Sequence, residues 1–282
     1  MKVGVGLPIS DPAVLLDWAQ RAEDGPFSSL GLIDRLSYDN PEPLVALAAM
    51  AGATTRIRLH TSVLLAPLRG TALLAKQAAT LDRMSGGRFT LGLSVGARPD
   101  DFHAAGVDLR TRGRRLDEQM ATMRRLWSGE AYNADSGPIG PRPHRPGGPE
   151  VLFGGFHPDA LARVTRWGDG YVASAPPEVA EPTLDVIRRQ WRAAGRTGEP
   201  RMVAQVSVAL GGPEVVDDSC ASLARYYAFS AELRSIMLAG VLTSRADVRA
   251  TLKRFADIGT DEVLLFSHAR DPEQVQRLAE AL

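Results

Sequence analysis

Residues 81–96 constrain the fold more than any other stretch, because they join a helix to a strand and that strand to a glycine-bearing loop. Residues 85–87, Ser-Gly-Gly, supply a helix stop with the backbone freedom for a tight turn. Residues 88–95 predict a buried strand, and Gly96 ends it where a ligand can approach the backbone. A repeated helix-turn-strand-loop unit is typical of an α/β barrel rather than a sandwich or a helical bundle.

Predicted strands recur along the whole chain, with helical segments between them. They lie at residues 2–7, 29–33, 56–65, 88–95, 151–153, 170–174, 202–210 and 262–266. Eight such units in 282 residues indicate a single (β/α)8 TIM barrel that spans residues 1–282, since these barrels have roughly 250 residues. A helical insertion after strand seven, with Tyr226, Tyr227 and Phe229, is predicted to form a lid.

Local signals predict the helix starts and the loops. Residues 10–11 and Asn40 each precede a proline and are expected to cap a helix. Residues 133–149 are rich in proline and glycine and predict an irregular excursion at the N-terminal face of the barrel. After Gly96 the chain is expected to continue as a loop until a helix begins near Arg112.

Composition indicates a small-molecule protein of the cytoplasm. Lys+Arg and Asp+Glu both number 33, so the net charge is zero and no basic field attracts nucleic acid or an anionic membrane. Cys220 is the only cysteine, which excludes an internal disulfide and fits a reducing compartment. The first residues lead directly into a strand, and no segment is apolar enough to cross a bilayer, so we expect neither a signal peptide nor a membrane span.

The glycine pair Gly154–Gly155 lies between a predicted strand end and a helix start. Free backbone N–H groups and the positive end of the helix dipole would then face one point, which suits a phosphate. The alternative is a tight turn that needs only a flexible backbone. Ser174, at the end of strand six, is expected to lie beside this turn.

Asp34 and His268 follow strands two and eight, at the face where barrel enzymes gather their catalytic groups. The Asp34 carboxylate is able to orient a cofactor or transfer a proton, and the alternative is a salt bridge with Arg35 or a loop cap. His268 titrates near neutral pH when unperturbed, which suits a direct role. The alternative for His268 is a solvated loop position.

Residues 92–96 match the G-x-S-x-G nucleophile elbow of α/β-hydrolases. That elbow needs a turn from strand directly into helix, and a loop is predicted here instead. We therefore interpret Ser94 and Gly96 as polar lining of the barrel mouth. The five histidines are scattered without metal-ligand spacing, so no metal site is predicted.

With these residues considered, the chain resembles the bacterial luciferase-like superfamily of flavin- and deazaflavin-dependent oxidoreductases. The resemblance covers nearly the whole length. It is carried by residues 78–88 with 91–96, residues 57–64, residues 112–118, and Gly154–Gly155 followed by residues 167–170.

The resemblance implies a barrel that holds a flavin or deazaflavin ring over its C-terminal mouth. A bulge after strand three, often with a non-proline cis peptide, supports the ring in this family, and Ser62–Val63 are the matching positions. Asp34 matches an acidic position that many relatives follow with histidine, where this chain has Arg35. The phosphate would lie at Gly154, Gly155, Phe156 and His157.

The sequence thus predicts hydride transfer between coenzyme F420, a deazaflavin, and a small organic substrate. The close alternative is an FMN-dependent monooxygenase; the arginine-rich composition, 30 arginines against 3 lysines, is typical of high-GC genomes and favours the deazaflavin. A non-catalytic cofactor carrier and a serine hydrolase that uses Ser94 are alternatives of other classes.

Because Arg35 replaces the usual histidine, the proton would be moved by His268 or by the substrate, or no proton donor is needed. The resemblance further implies a homodimer.

Overall fold

The computed structural model describes residues 1–7 and 12–282, and the cap predicted at residues 10–11 lies outside them. The strands are β1 (Lys2–Gly6), β2 (Ser29–Leu32), β3 (Arg58–Thr61), β4 (Leu64–Leu65), β5 (Phe89–Ser94), β6 (Ala131–Asn133), β7 (Ser136–Pro138), β8 (Glu150–Gly154), β9 (Gly170–Ala173), β10 (Arg201–Val208) and β11 (Glu262–Ser267). The helices are α1 (Leu15–Asp24), α2 (Pro43–Ala53), α3 (Thr71–Met84), α4 (Pro99–Ala105), α5 (Arg112–Ser128), α6 (Pro158–Trp167), α7 (Pro177–Ala193), α8 (Pro213–Tyr226), α9 (Ala231–Ala239), α10 (Arg245–Asp257) and α11 (Glu273–Ala279).

The sheet is a closed barrel of eight parallel strands, as predicted. Its strands follow the order β3, β2, β1, β11, β10, β9, β8, β5. The pairing of β3 with β5, with Leu59 opposite Phe89, closes the cylinder. The short strand β4 pairs with β5 beyond an interruption in the third barrel strand. Helices cover the outside, and α8 and α9 form the insertion predicted after strand seven.

Three local predictions were wrong. Residues 133–149 were expected to lack regular structure, but β6 and β7 pair as an antiparallel hairpin, where Asn133 Oδ1 accepts a hydrogen bond from Asp135 N at 3.1 Å. Helix α4 begins at Pro99, where a loop was predicted, because proline suits the first helical turn. Helix α2 is capped by Glu42 rather than Asn40, since Glu42 Oε2 accepts from Val45 N at 2.8 Å.

Two layers fill the inside of the barrel below its mouth. The lower layer is charged, because four strands begin with Arg58, Glu150, Arg201 and Glu262. Arg58 Nη2 lies 2.8 Å from Glu150 Oε2, and Arg201 pairs with both Glu150 and Glu262. The upper layer is apolar and consists of Leu152, Val172, Val203, Leu264 and Phe266, with Ile33 and Val63 packed against it. The mouth of the barrel is therefore closed from below.

In the lower layer, the pairing of opposite charges offsets the desolvation cost of burying charged groups inside the protein. Burial raises the pKa of Glu150, but the guanidinium groups of Arg201 and Arg58 outweigh burial, so this pKa lies below its ordinary value. The pKa of Glu262 is likewise lowered, since Arg201 and the hydroxyls of Ser28 and Ser29 outweigh its burial. Both carboxylates are thus held ionised within the barrel.

Candidate functional site

A cavity of about 440 Å3 opens at the carboxyl ends of the barrel strands. Most of the predicted site residues line it together, although they come from six different barrel strands and the loops after them. These residues are Asp34, Ser62, Val63, Ser94, Gly96, Gly155, Phe156, His157, Ser174 and His268. Gly154 is part of β8 and lies outside the lining.

Ser62 and Val63 form the floor of the cavity, between β3 and β4. The peptide bond between them is cis, as the family resemblance implied. Val63 packs on the apolar layer below, and Ser62 is buried with its hydroxyl 2.8 Å from His60 Nδ1. Burial and the nearby Arg201 lower the pKa of His60 to about 4, so its ring is neutral at pH 7. The predicted continuous strand over residues 56–65 is therefore divided here.

Asp34 is buried, and both of its carboxylate oxygens are engaged. Oδ2 accepts hydrogen bonds from Leu65 N at 2.8 Å and from Arg69 Nη1 at 2.6 Å. Oδ1 accepts from Arg69 Nη2 at 3.0 Å. The expected alternative of a salt bridge with Arg35 was wrong, because Arg69 takes that place. Asp34 thereby ties the loop after β2 to the end of β4, beside the cavity floor.

Arg35 is buried at the cavity edge and has a different carboxylate partner. Its Nε donates to Asp101 Oδ2 at 2.7 Å. Its guanidinium lies 5.3 and 5.4 Å from the ring centroids of Tyr38 and Tyr226, which meet edge to face. Nη1 of Arg35 is buried and has no hydrogen-bond partner among the residues that the structure describes. A donor is thus left for a ligand.

His268 lines the cavity from the loop after β11 and is half-buried. Burial lowers the pKa of its imidazole to about 4. Its Nδ1 is buried without a hydrogen-bond partner in the described part of the chain. At neutral pH the ring is therefore uncharged, and it is able to hydrogen-bond a ligand without carrying a positive charge.

The turn after β8 brings backbone to the cavity. Gly155 has a φ of 129°, which favours glycine. His157 caps α6, its Nδ1 accepting from Asp159 N at 3.3 Å, so the positive end of the helix dipole faces this turn. By contrast, Gly154 has an ordinary strand backbone. Only the second glycine of the pair is required by the turn.

Ser94 does not form a nucleophile elbow. It is the last residue of β5, and the next helix begins at Pro99, so the strand does not turn directly into a helix. Its Oγ accepts from Gly96 N at 3.2 Å. Ser94 and Gly96 line the cavity, as the sequence indicated.

The insertion covers one side of the cavity with aromatic side chains. The rings of Tyr226 and Tyr227 meet edge to face with centroids 4.9 Å apart, and burial raises the pKa of Tyr227 to about 12. Arg98 fastens the insertion, because its Nη1 donates to Tyr226 O at 2.8 Å and its guanidinium lies 4.3 Å from the Phe229 centroid. Both tyrosines and Phe229 line the cavity.

The sequence analysis missed part of the lining, namely Gln205, Ser207, Arg98, Arg112 and Asp101. A signal was present for Gln205 and Ser207, because both are polar residues inside the strand predicted at residues 202–210. Arg98 lies on a loop, and Asp101 and Arg112 lie on α4 and α5, whose approach to the mouth depends on the closed barrel.

In residues 1–7 and 12–282, no helix has both the length and the apolar character that crossing a membrane requires.

These features define an α/β barrel with a ligand cavity at its carboxyl-terminal mouth. The chain belongs to the luciferase-like monooxygenase family, which it matches over residues 3–278. Characterised members of this family are oxidoreductases, including monooxygenases.

Curated relatives are similar over part of their length. An uncharacterised protein of Mycobacterium tuberculosis is 33% identical over 164 residues, which cover 55% of this chain and 56% of that protein. The F420-dependent glucose-6-phosphate dehydrogenase of Kineococcus radiotolerans is 32% identical over 206 residues, covering 66% of this chain and 60% of the dehydrogenase. The chain thus spans less than two thirds of each of these relatives.

Solved structures share the fold over the whole chain. An F420-dependent secondary alcohol dehydrogenase in complex with an F420–acetone adduct has a TM-score of 0.79 at 17% identity, covering 100% of this chain and 98% of that one. The oxygenating constituent of 3,6-diketocamphane monooxygenase from Pseudomonas putida, in complex with FMN, has a TM-score of 0.72 at 17% identity, covering 100% and 96%. At these identities the likeness shows the fold alone.

Proposed function

We propose that this chain is an oxidoreductase that binds coenzyme F420 in the mouth cavity and exchanges a hydride between the deazaflavin ring and a small organic substrate. The observation that carries the proposal is the convergence of unsatisfied polar atoms, Arg35 Nη1 and His268 Nδ1, with the glycine turn at Gly155 in one cavity. The F420-dependent relative and the F420-bound structural neighbour support the choice of cofactor.

The described residues fit such a cofactor. Val63 offers an apolar surface at the cavity floor for a planar ring, and the backbone N–H groups around Gly155 and the N-terminus of α6 suit its phosphate. Phe156 and His157 are exposed, so an anionic tail beyond the phosphate can extend into solvent. When bound, the deazaflavin would accept or donate the hydride.

The protein's own groups then bind and orient the substrate. Arg35 Nη1 is able to donate a hydrogen bond to a substrate oxygen, and neutral His268 is able to accept one from a substrate hydroxyl through Nδ1. Asp34 is a positioning residue, since Leu65 and Arg69 already engage its oxygens. Most of the acceleration in such a site comes from holding donor and acceptor close together.

Titration of the apoprotein with F420 and with FMN tests the cofactor. We expect saturable changes in absorbance with F420 and much weaker binding of FMN. Tight binding of FMN alone would contradict the deazaflavin assignment and favour the FMN-dependent monooxygenase. Binding of F420 without turnover, in an assay of alcohols with F420 and of ketones with reduced F420, would favour a cofactor carrier instead.

The homodimer remains a prediction. Val45 on α2 and Leu73 on α3 are 68% and 60% exposed, and exposed large apolar side chains on two helices that contact each other suit an interface. Sedimentation of the purified protein measures the oligomeric state directly.

A further inference from the structure

A column of polar side chains runs along the inner face of β3, from the charged layer up to the cavity floor. Side chains alternate along a strand, so Arg58 and His60 both point into the barrel, and the contact of Ser62 with His60 places Ser62 on the same side. Arg58 belongs to the charged layer, and Ser62 lines the mouth cavity. His60 lies between them and is 1% exposed. It is therefore a buried polar ring directly below the cavity floor.

Glycines in the two neighbouring strands leave space for this pair of side chains. A Cβ on Gly92 of β5 would lie 3.0 Å from His60 Cε1 and 2.1 Å from Thr61 O. A Cβ on Gly31 of β2 would lie 3.1 Å from Ser62 Oγ. Both of these strands pair directly with β3. The imidazole and the hydroxyl are thus closely packed on both sides, and they have little freedom to move.

One hydrogen bond joins His60 to Ser62. Ser62 Oγ lies 2.8 Å from His60 Nδ1, and His60 Nε2 is buried without a partner among the described residues. The imidazole is neutral at pH 7, since burial and Arg201 lower its pKa to about 4. A neutral imidazole carries one hydrogen, so one ring nitrogen is a donor and the other is an acceptor. The direction of the bond to Ser62 therefore depends on which nitrogen carries the hydrogen.

The surroundings of the ring favour the hydrogen on Nδ1. With the hydrogen on Nε2, a buried N–H would lack an acceptor, which is rarer in folded proteins than an acceptor without a donor. Although burial lowers the pKa of His60, the Thr61 backbone raises it, as a carbonyl that accepts from an imidazole N–H does. Because Nε2 has no partner, the nitrogen that donates is Nδ1. Nδ1 then also donates to Ser62 Oγ, and the hydroxyl hydrogen of Ser62 is left for a ligand.

A hydroxyl donor on the cavity floor distinguishes the two redox states of a ring bound there. A ring that has accepted a hydride has gained an electron pair, so its oxygen and nitrogen atoms carry more negative charge. Hydrogen bonds to a more negative acceptor are stronger. The neutral imidazole of His60 adds no charge of its own, so the preference comes from the Ser62 hydroxyl.

We propose that His60 is a positioning residue that holds the Ser62 hydroxyl as a hydrogen-bond donor to the redox ring in the mouth cavity, and that this donor raises the reduction potential of the bound ring. The inference deepens the proposed function and rests on it for the presence of the ring. It gives the buried imidazole of His60 a role different from that of His268, which lines the cavity itself.

The position of the hydrogen on His60 is measured on the apoprotein. Long-range ¹H–¹⁵N NMR spectra distinguish a ring nitrogen that carries a hydrogen from one that does not, and the chain has only five histidines. The signals of His60 are those that His60→Asn removes. We expect the Nδ1–H tautomer at pH 7. The Nε2–H tautomer would overturn the proposal, since Ser62 would then donate to His60 and have no hydrogen for a ligand.

The effect on the ring is measured as the ratio of the dissociation constants of oxidised and reduced F420. General damage to the site would change both constants alike and leave this ratio unchanged. We expect Ser62→Ala to lower the preference for reduced F420 about tenfold, the value of one such hydrogen bond, which is about 30 mV for a two-electron couple. Ser85→Ala is the control, because Ser85 is another buried serine, which donates to Asp82 O on α3. A wild-type ratio in Ser62→Ala would overturn the proposal.

Two substitutions at His60 separate positioning from packing. His60→Leu leaves the hydroxyl without its partner, so the ratio should fall towards that of Ser62→Ala. His60→Asn keeps an amide N–H close to the place of Nδ1, so the ratio should stay nearer to that of the wild type. Equal ratios in the two variants would overturn the role of His60. If circular dichroism shows that His60→Leu is unfolded, the tautomer and the ratio in Ser62→Ala decide the question.

Cofactor binding separates this inference from the proposed function. If neither F420 nor FMN binds to the wild type, the redox proposal itself fails. If F420 binds and Ser62→Ala leaves the ratio unchanged, the redox proposal stands and the role of His60 and Ser62 is overturned.

Discussion

Arg69 holds both oxygens of the Asp34 carboxylate, with Nη1 2.6 Å from Oδ2 and Nη2 3.0 Å from Oδ1. Asp34 also accepts from Leu65 N, so one side chain joins the loop after β2 to the strand beyond the cavity floor. The carboxylate therefore stabilises the floor of the cavity. Both of its oxygens already accept hydrogen bonds from protein groups.

Asp34→Asn should destabilise the protein, because an amide cannot accept from both Arg69 nitrogens and Leu65 N at once. We expect a loss of about 2 kcal/mol in the free energy of unfolding, as for hydrogen bonds to charged groups. Urea denaturation measures it. Asp17→Asn, which removes an exposed partner of Arg21, is the control and should change little. Equal effects of the two substitutions would contradict the bracing role.

Gly155→Asp should weaken F420 binding more than Gly155→Ala does. Both substitutions place a Cβ 3.0 Å from Ala160 Cβ and strain the positive φ, but only aspartate adds a negative charge beside the proposed phosphate site. The comparison by fluorescence titration therefore separates charge from backbone strain. Identical affinities for the two variants would place the phosphate elsewhere.

Stability should fall as the pH is lowered from 6.5 towards 4, because burial lowers the pKa of His268 from 6.5 to about 4. In this window the unfolded chain binds a proton that folded His268 rejects. The contribution is complete above pH 6.5, and each such histidine removes up to about 1.4 kcal/mol per pH unit below it. His60 acts in the same direction.

Denaturation at pH 7.5 and pH 5 measures the effect of His268. His268→Asn should reduce the difference in unfolding free energy between the two pH values, whereas His103→Asn, at an exposed position of α4, should leave it unchanged. A difference that His268→Asn leaves at the wild-type size would show that the histidine titrates normally.

Arg201→Met should be strongly destabilising, because it leaves Glu150 and Glu262 inside the barrel without their shared partner. Removing one member of a buried ionic group costs about 3–5 kcal/mol. Adding Glu262→Gln should recover part of the loss, since Glu262 is the carboxylate that loses its cation, whereas Glu150 keeps Arg58. Arg245→Met, which breaks an exposed pair with Glu280, is the control. No recovery in the double variant would count against an electrostatic cause.

Much of the barrel was predictable from the sequence, because the barrel repeats a local pattern. Helix α3 runs from Thr71 to Met84, as apolar spacing and the Ser-Gly-Gly stop indicated. Helix α10 is capped by Ser244, a residue type that favours this position. The errors fell where a local signal was weak or had a competitor: Pro99 begins α4, and Glu42 rather than Asn40 caps α2.

The candidate site was predictable only in part. Strand ends indicated Asp34, Ser94, Ser174 and His268, because the carboxyl ends of parallel strands meet at one face of a barrel. Partners distant in sequence were not predictable. Arg69 rather than Arg35 pairs with Asp34, and Arg35 instead pairs with Asp101, because these pairings depend on how loops fold over the mouth.

The sequence alone determined the order of strands and helices, the closed barrel and the strand ends where polar residues gather, since each follows from short-range periodicity, turns and caps. Only the tertiary structure decided which charges neutralise one another, which polar atoms remain without a partner, and how the insertion covers the mouth cavity. Those outcomes depend on distances between residues far apart in the chain, and such distances exist only after the barrel has closed.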